Sequence, residues 1–263
     1  MKTDRKTGLP RVHFVDKYIV NPVHGITIDL VGAGGNGSQM LSALARINAA
    51  LTSLGKKGLH VRVFDPDKVD AANIGRQLFS PMDIGQNKAD CLVSRFNRFY
   101  GTGWESFPQK YDDTEKRTSN IVISCVDNVK TRTYIASRFK KAAARKYNPE
   151  SSTYYWLDLG NGRDFGQAIL GSGKIEQPKS KKFRTVGHLP TVDEEFDLST
   201  ISEKDSGPSC SLAEALSKQD LFINSSLVQI AGSLLWELFR NPVLDYRGIY
   251  LNLSNYKSTP VRI

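Results

Sequence analysis

The sequence predicts an α/β fold: a doubly wound, mainly parallel sheet with helices on both faces and an antiparallel C-terminal extension. Three observations carry this. Short β-branched runs alternate with helix-length amphipathic stretches through about residue 146, the pattern of strands joined by crossover helices. A glycine-rich turn links the first of these strands to the first helix. Beyond residue 150, two apolar runs follow each other across a tight turn, which suits neighbouring antiparallel strands.

Taken in order, residues 1–25 read as an irregular basic arm. "ITIDLVG" (26–32) is a buried parallel strand. "NGSQMLSALARINAALTSL" (36–54) places Met40, Leu41, Leu44, Ile47 and Leu51 near helical spacing. "LHVRVFD" (59–65) is a second strand, "DIGQNKADCLVSRFNRF" (83–99) a helix, "NIVISCVD" (120–127) a strand and "KTRTYIASRFKKAAARK" (130–146) a helix. "STYYWLDLGNG" (152–162) and "FGQAILGSG" (165–173) form the adjacent pair. About residues 172–210 read as one long loop, which in a compact domain is functional or disordered. A helix within 212–239 and a strand at "GIYLNLS" (248–254) close the chain. With no repeat and no linker, 1–263 is expected to be one domain.

Composition narrows the class. Hydrophobic residues make up 40% and charged residues 24%, an ordinary globular balance. No apolar run nears the roughly 20 residues of a membrane helix, and the first twenty residues lack a secretory pattern. The expectation is a cytoplasmic protein with no membrane partner. Cys91, Cys125 and Cys210 form no CxxC pair, so no zinc is expected. The net charge of +9 invites a nucleic-acid reading, but the basic residues are spread out and that reading is disfavoured. The acidic stretch "VDEEFD" (192–197) reads as solvated, and Trp156 and Trp236 as core.

The chemistry lies in four segments. "VGAGGNGS" (31–38) puts Gly32, Gly34, Gly35 and Gly37 between a strand and a helix, where bare backbone and free N–H groups receive a phosphate. Asp65 ends the second strand as a ribose anchor would, although farther from the glycines than the about 20 residues of dinucleotide-binding units; alternatively it caps the turn at Pro66. "DPDKVDAANIGRQ" (65–77) then supplies Asn73, Arg76 and Gln77, more than hydride transfer needs but apt for a triphosphate cleaved between its α and β phosphates. Lys88, at a helix start, can neutralise charge on the α-phosphate or simply be solvated. Asp127, at the end of its strand, can hold Mg²⁺ over the ligand crevice or cap the helix near Val129.

In that order, "GAGGNG", "DPDKVDAANIGRQ", "GQNKAD" and "SCVDNVKTR" resemble the ubiquitin-activating-enzyme-like adenylyltransferases typified by ThiF, MoeB and HesA, with a Rossmann-like fold. The likeness covers about residues 25–135 well and the rest loosely. "PSCSLAEALSKQDLFINSSLVQIAGSLLW" is similar to the ThiF-related members of bacterial ParB-related, ThiF-related cassettes (the PRTRC system). The resemblance implies ATP and Mg²⁺ as cofactors, and adenylation of the C-terminal glycine carboxylate of a small ubiquitin-like or sulfur-carrier protein, by a homodimer. Asp65 would hold the ribose, Asn73, Arg76, Gln77 and Lys88 the phosphates, and Asp127 the metal.

In relatives that go further, a loop cysteine takes the acyl group as a thioester. Cys210, between a Pro-containing loop and a helix start, is read either as that nucleophile or as a packing residue. The family's N-terminal arginine has no secure match, Arg11 being a candidate by position alone, and its paired zinc cysteines are absent. The alternatives are a tRNA-modifying carboxylate-adenylating relative of the same fold, an NAD-binding oxidoreductase, and an inactive protein-binding scaffold.

Overall fold

A computed structural model describes residues 8–111, 118–145, 148–198 and 218–263. The main sheet has eight strands in the order β11-β10-β7-β6-β5-β2-β3-β4. Its first half comprises β2 (Ile26–Val31), β3 (Leu59–Phe64), β4 (Glu105–Phe107), β5 (Ile121–Ser124) and β6 (Tyr155–Asn161), all parallel. The other half, β7 (Phe165–Ser172), β10 (Tyr246–Asn252) and β11 (Lys257–Arg262), is antiparallel. This is the mainly parallel, Rossmann-like sheet with an antiparallel extension that the sequence predicts. The chain runs outward from β2 in both directions, to β3 on one side and β5 on the other. That makes the gap between β2 and β5 the topological switch point, where open α/β sheets place their ligands.

Helices cover both faces. Helix α2 (Gly35–Ser53) packs on α6 (Ile223–Arg240) and on α3 (Lys88–Tyr100). Their buried Leu41, Leu44, Leu92, Leu227 and Leu235 join Ile28, Leu30, Val61 and Ile123 of the strands in one core. On the opposite face α4 (Val129–Ala143) sets Ile135 and Phe139 against Val31, Phe64, Val122 and Trp156. Alternate strand residues thus point into different layers, which explains why β2, β3 and β5 read as nearly continuous apolar runs. Among the described residues no helix is long and apolar enough to cross a membrane.

Three expectations are corrected. The basic arm is not irregular throughout: β1 (Arg11–Phe14) pairs with β8 (Arg184–Thr185) and β9 (Val243–Leu244), and α1 (Lys17–Val20) follows. Val12, His13, Val15, Tyr18 and Ile19 are buried there, and Asp16 caps α1 by accepting from the Tyr18 N–H at 2.9 Å. Apolar residues interleaved with charges hid this element from a composition-based reading. The 172–210 loop contains β8 and the short helix α5 (Val192–Glu195) in its described part. Its acidic residues are engaged rather than merely solvated: Asp193 pairs with Lys140, Glu194 with His188, and Glu195 with Arg247. Finally, the strand read over 120–127 ends at Ser124, so Asp127 lies in the following loop.

Candidate functional site

Two loops frame the switch point. The first leaves β2 through Gly32 (φ +92°), a conformation suited to glycine. A Cβ on Gly32 would lie 2.7 Å from the Cys125 carbonyl oxygen, so this loop rests directly on the backbone leaving β5. A Cβ on Gly37 would come within 1.9 Å of the Gly32 carbonyl, so only glycine lets α2 start so close beneath the turn. Gly35 has the Asn224 amide against its α-carbon. Gly34 differs: a Cβ there would meet only the Gln77 side chain, at van der Waals distance. Gly34 is also the N-cap of α2, which has neither a side-chain cap nor an acidic residue in its first turn. The positive end of a 19-residue helix therefore opens at the switch point with no capping side chain of its own.

Asp65 joins this loop to the polar segment. Its carboxylate is buried; Oδ2 accepts from the Ala33 N–H at 2.6 Å and Oδ1 from the Asp67 N–H at 2.8 Å. The Oδ1 contact is the turn cap expected as the alternative role, and the Oδ2 contact had no sequence signal. Burial pushes the Asp65 carboxyl above its usual range, opposed by the two backbone N–H groups and Lys88. Each oxygen keeps acceptor capacity for a further donor.

Asn73, Arg76 and Gln77 follow in a short, mostly buried segment. Asn73 accepts from the Asp70 N–H at 3.0 Å, closing a single 3-10 turn over Ala71–Asn73. That positions Gln77, whose buried Oε1 has no partner among the described residues. Arg76 donates from Nη1 to Gln219 Oε1 at 2.6 Å, while its Nε is buried and unpaired. Burial holds the guanidinium pKa below its ordinary value, opposed by Asp70. Asn36, within the glycine motif, donates to Asn161 at 2.8 Å and leaves its buried Oδ1 unpaired.

Lys88 opens α3 with its stem buried, and its Nζ lies 3.2 Å from the exposed Asp67 carboxylate. Asn87 fixes that geometry by donating to the Asp65 and Asp67 carbonyls and accepting from the Asp90 N–H as the helix cap. Asp67 and Asn87 were both present in the quoted motifs, yet only the fold assigns them these tasks.

Asp127 is exposed, and no described residue pairs with it. It is not the helix cap considered as its alternative role, because Asn128 does that by accepting from the Thr131 N–H at 2.8 Å. Val126 beside it touches the Gly32 position. A lone carboxylate beside the glycine loop has the chemistry that suits Mg²⁺, which takes oxygen ligands and often only one or two from protein. Among the described residues no three His, Cys, Asp or Glu cluster as a protein-only metal cage. Cys125 is largely buried, and burial drives its thiol pKa far up, leaving a neutral thiol. Cys210 lies outside the described residues. Arg11 sits in β1, in the small sheet, and is exposed.

A strand–glycine loop–helix unit at a switch point, with a charged polar segment after the second strand, defines a doubly wound α/β protein whose ligand crevice lies at that point. The chain belongs to the ThiF family, whose sequence profile matches residues 20–154. It is 32% identical over 130 residues to ubiquitin-activating enzyme E1 1 of Candida albicans, covering 44% of this chain and 12% of that protein. It is 30% identical over 145 residues to ubiquitin-like modifier-activating enzyme 5 of Bombyx mori, covering 49% and 34%. The matched region therefore spans only 12% and 34% of those relatives' own lengths. Among solved structures, PaaA aligns over 90% of this chain and 64% of its own, with a TM-score of 0.56 and 16% identity. Escherichia coli MccB with ATP aligns over 90% and 63%, with a TM-score of 0.53 and 14% identity. At those identities the structural likeness shows the fold.

Proposed function

We propose that this chain binds ATP with Mg²⁺ and adenylates the C-terminal glycine carboxylate of a small ubiquitin-like or sulfur-carrier protein. The observation that carries this is the uncapped start of α2 among three unpaired buried polar atoms, Asn36 Oδ1, Arg76 Nε and Gln77 Oε1. Such atoms cost stability unless a ligand satisfies them. The family relationship and the names of the relatives, which activate ubiquitin-like modifiers, support the substrate class.

In this reading the first-turn N–H groups of α2 and the bare backbone at Gly34 receive phosphate oxygens, with Gly32, Gly35 and Gly37 shaping the turn. Asp65 accepts from the ribose hydroxyls through its spare lone pairs while holding Ala33. Asn73, Arg76 and Gln77 hold the outer phosphates, and Lys88 exchanges its exposed Asp67 partner for the α-phosphate. Asp67 is exposed and returns to water when released, while buried Lys88 keeps an anionic partner. The carrier carboxylate attacks the α-phosphorus, a new O–P bond forms, and the α–β bridge breaks to release pyrophosphate. Arg76 stabilises the charge gathering on that leaving group. Asp127 would hold Mg²⁺, which supplies charge neutralisation to the phosphates. Catalysis is positioning and electrostatics, with no protein nucleophile in this step.

The finer features follow the same reading: one domain over residues 1–263, a cytoplasmic homodimer of the cassette-associated ThiF-related type, and transfer of the acyl group to Cys210 as a thioester. Calorimetry with ATP·Mg²⁺ and with NAD tests the nucleotide. ATP binding with NAD silent supports the proposal; NAD binding with ATP silent replaces it with the oxidoreductase reading.

A further inference from the structure

Gln219 lies just before α6, in the C-terminal stretch and outside the four nucleotide segments, yet it touches the Arg76 guanidinium. Its Oε1 accepts from Arg76 Nη1 at 2.6 Å and from Asn224 Nδ2 at 3.2 Å. Two donors converge on one amide oxygen, which uses both its lone pairs and fixes which way the amide faces. Asn224 is buried and packed against Gly35, so one oxygen ties Arg76 to both the phosphate loop and the start of α6. The residue after Gln219 is anchored too: Asp220 donates its N–H to the Arg163 carbonyl at 2.7 Å and accepts from the Phe222 N–H at 2.8 Å.

The edge of the guanidinium that Gln219 occupies matters. Nη1 lies on the side away from Nε–H, so bonding there leaves the Nε and Nη2 pair as an open fork. That pair is the edge which binds an anion through two parallel hydrogen bonds. Nε is the buried, unpaired atom, and no described residue accepts from Nη2.

We infer that Gln219 is the positioning residue for Arg76: it holds Nη1 so that the Nε–Nη2 edge faces the outer phosphates of a polyphosphate ligand. The inference rests on the proposed nucleotide reading but assigns a role to a residue outside the four segments that carry it. It ties polyphosphate recognition to the chain that follows Cys210. Because Arg76 would read the β and γ phosphates, Gln219 governs the preference for ATP over AMP rather than nucleotide binding in general.

The test is calorimetric binding of ATP·Mg²⁺, AMP and inorganic pyrophosphate to wild type, Gln219→Met and Gln219→Glu, with Arg76→Ala alongside. Met keeps the side-chain length and removes the acceptor; Glu restores an acceptor but brings negative charge to the fork. Gln219→Met is expected to weaken ATP and pyrophosphate about tenfold, the scale of one lost charge-assisted hydrogen bond, with AMP unchanged. Gln219→Glu should weaken both polyphosphates further and again spare AMP. Equal losses for ATP and AMP, or none in either variant while Arg76→Ala loses ATP, would overturn the role of Gln219 and leave the nucleotide reading standing. If wild type binds neither ATP nor pyrophosphate, the nucleotide reading and this inference both fall. Should Gln219→Met melt early, Gln219→Asn, which keeps an amide but draws its oxygen back from Arg76 by one methylene, gives the same comparison.

Discussion

Replacing Asp65 separates two roles that the structure gives one carboxylate. It is buried and accepts the Ala33 and Asp67 N–H groups, at 2.6 and 2.8 Å. In Asp65→Ala the N–H of fully buried Ala33 loses its acceptor, at a cost of about 1–3 kcal/mol. Exposed Asp67 recovers part of its bond from water, so the total is expected at about 2–4 kcal/mol. Asp65→Asn keeps one acceptor oxygen and should cost roughly half that. The pH dependence carries the sharper test. Burial raises the folded-state pKa of Asp65 above its unfolded value, so between the two the native state binds more protons. Stability contributed by this group is therefore greatest below the unfolded value of 3.8 and declines as pH rises through the folded one. The Asn variant lacks that decline, so its deficit against wild type should be larger at pH 3.5 than at pH 7. Urea unfolding followed by tryptophan fluorescence at both pH values measures it. A deficit that grows toward neutral pH would mean the N–H groups and Lys88 outweigh desolvation, and the electrostatic account would be wrong. A deficit under 0.5 kcal/mol in Asp65→Ala would remove the structural role, since that is the scale of an ordinary surface change.

Gly37→Ala sets a Cβ 1.9 Å from the Gly32 carbonyl oxygen, backbone against backbone, so the variant should be recovered mostly unfolded; a wild-type melting temperature would refute this packing. Asp127→Ala removes an exposed side chain with no described partner and should melt within about 1–2 °C of wild type, as surface changes do. The same variant should lose Mg²⁺-dependent pyrophosphate exchange once a carrier is supplied, and near-normal exchange would end the metal assignment. His13 is buried, donates from Nδ1 to the Val186 carbonyl and accepts at Nε2 from Tyr155, and burial lowers its pKa. Because the unfolded chain then binds the proton more readily, wild-type stability should fall as pH drops below about 6.5. In His13→Gln that slope should flatten; equal slopes in unfolding titrations between pH 5 and 7 would show that another group governs it.

Sequence periodicity located the parallel strands because strands buried on two faces have continuous apolar runs. Ile28 and Leu30 face one layer while Val31 faces the other. The glycine loop is equally legible at Gly32 and Gly37, where backbone would lie 2.7 and 1.9 Å from a Cβ and leaves no alternative residue. Arg76 and Gln77 were legible as residue types but not in their partners. The bond from Arg76 to Gln219 spans 143 residues, and no local pattern encodes a contact at that distance. The edge strands β4 and β11 were missed for a related reason: paired on one side only, they carry little apolar signal, and β11 even holds Pro260. Asp127 reads as a strand-end residue but lies beyond the strand, because hydrophobicity continues through Cys125 and Val126 after the ladder stops at Ser124.

The distribution of unsatisfied polar atoms separates a binding site from a merely well-packed turn. Six buried side-chain atoms lack partners among the described residues, and three of them, on Asn36, Arg76 and Gln77, belong to the segments around the start of α2. Each costs on the order of 1–3 kcal/mol when left unpaired. An apolar residue of similar size would remove that cost at each position. Nearby, Ser124 and Trp156 are paired: Trp156 donates to Ser124 at 2.7 Å and Ser124 donates to Asp158 Oδ1 at 2.5 Å, which also accepts from Arg132 at 3.1 Å, although Asp158 Oδ2 is another of the six. That network holds the base of the Asp127 loop through the first turns of α4. Half of the unpaired buried atoms thus gather in the segments beside an uncapped helix start, where a polyphosphate would complete them.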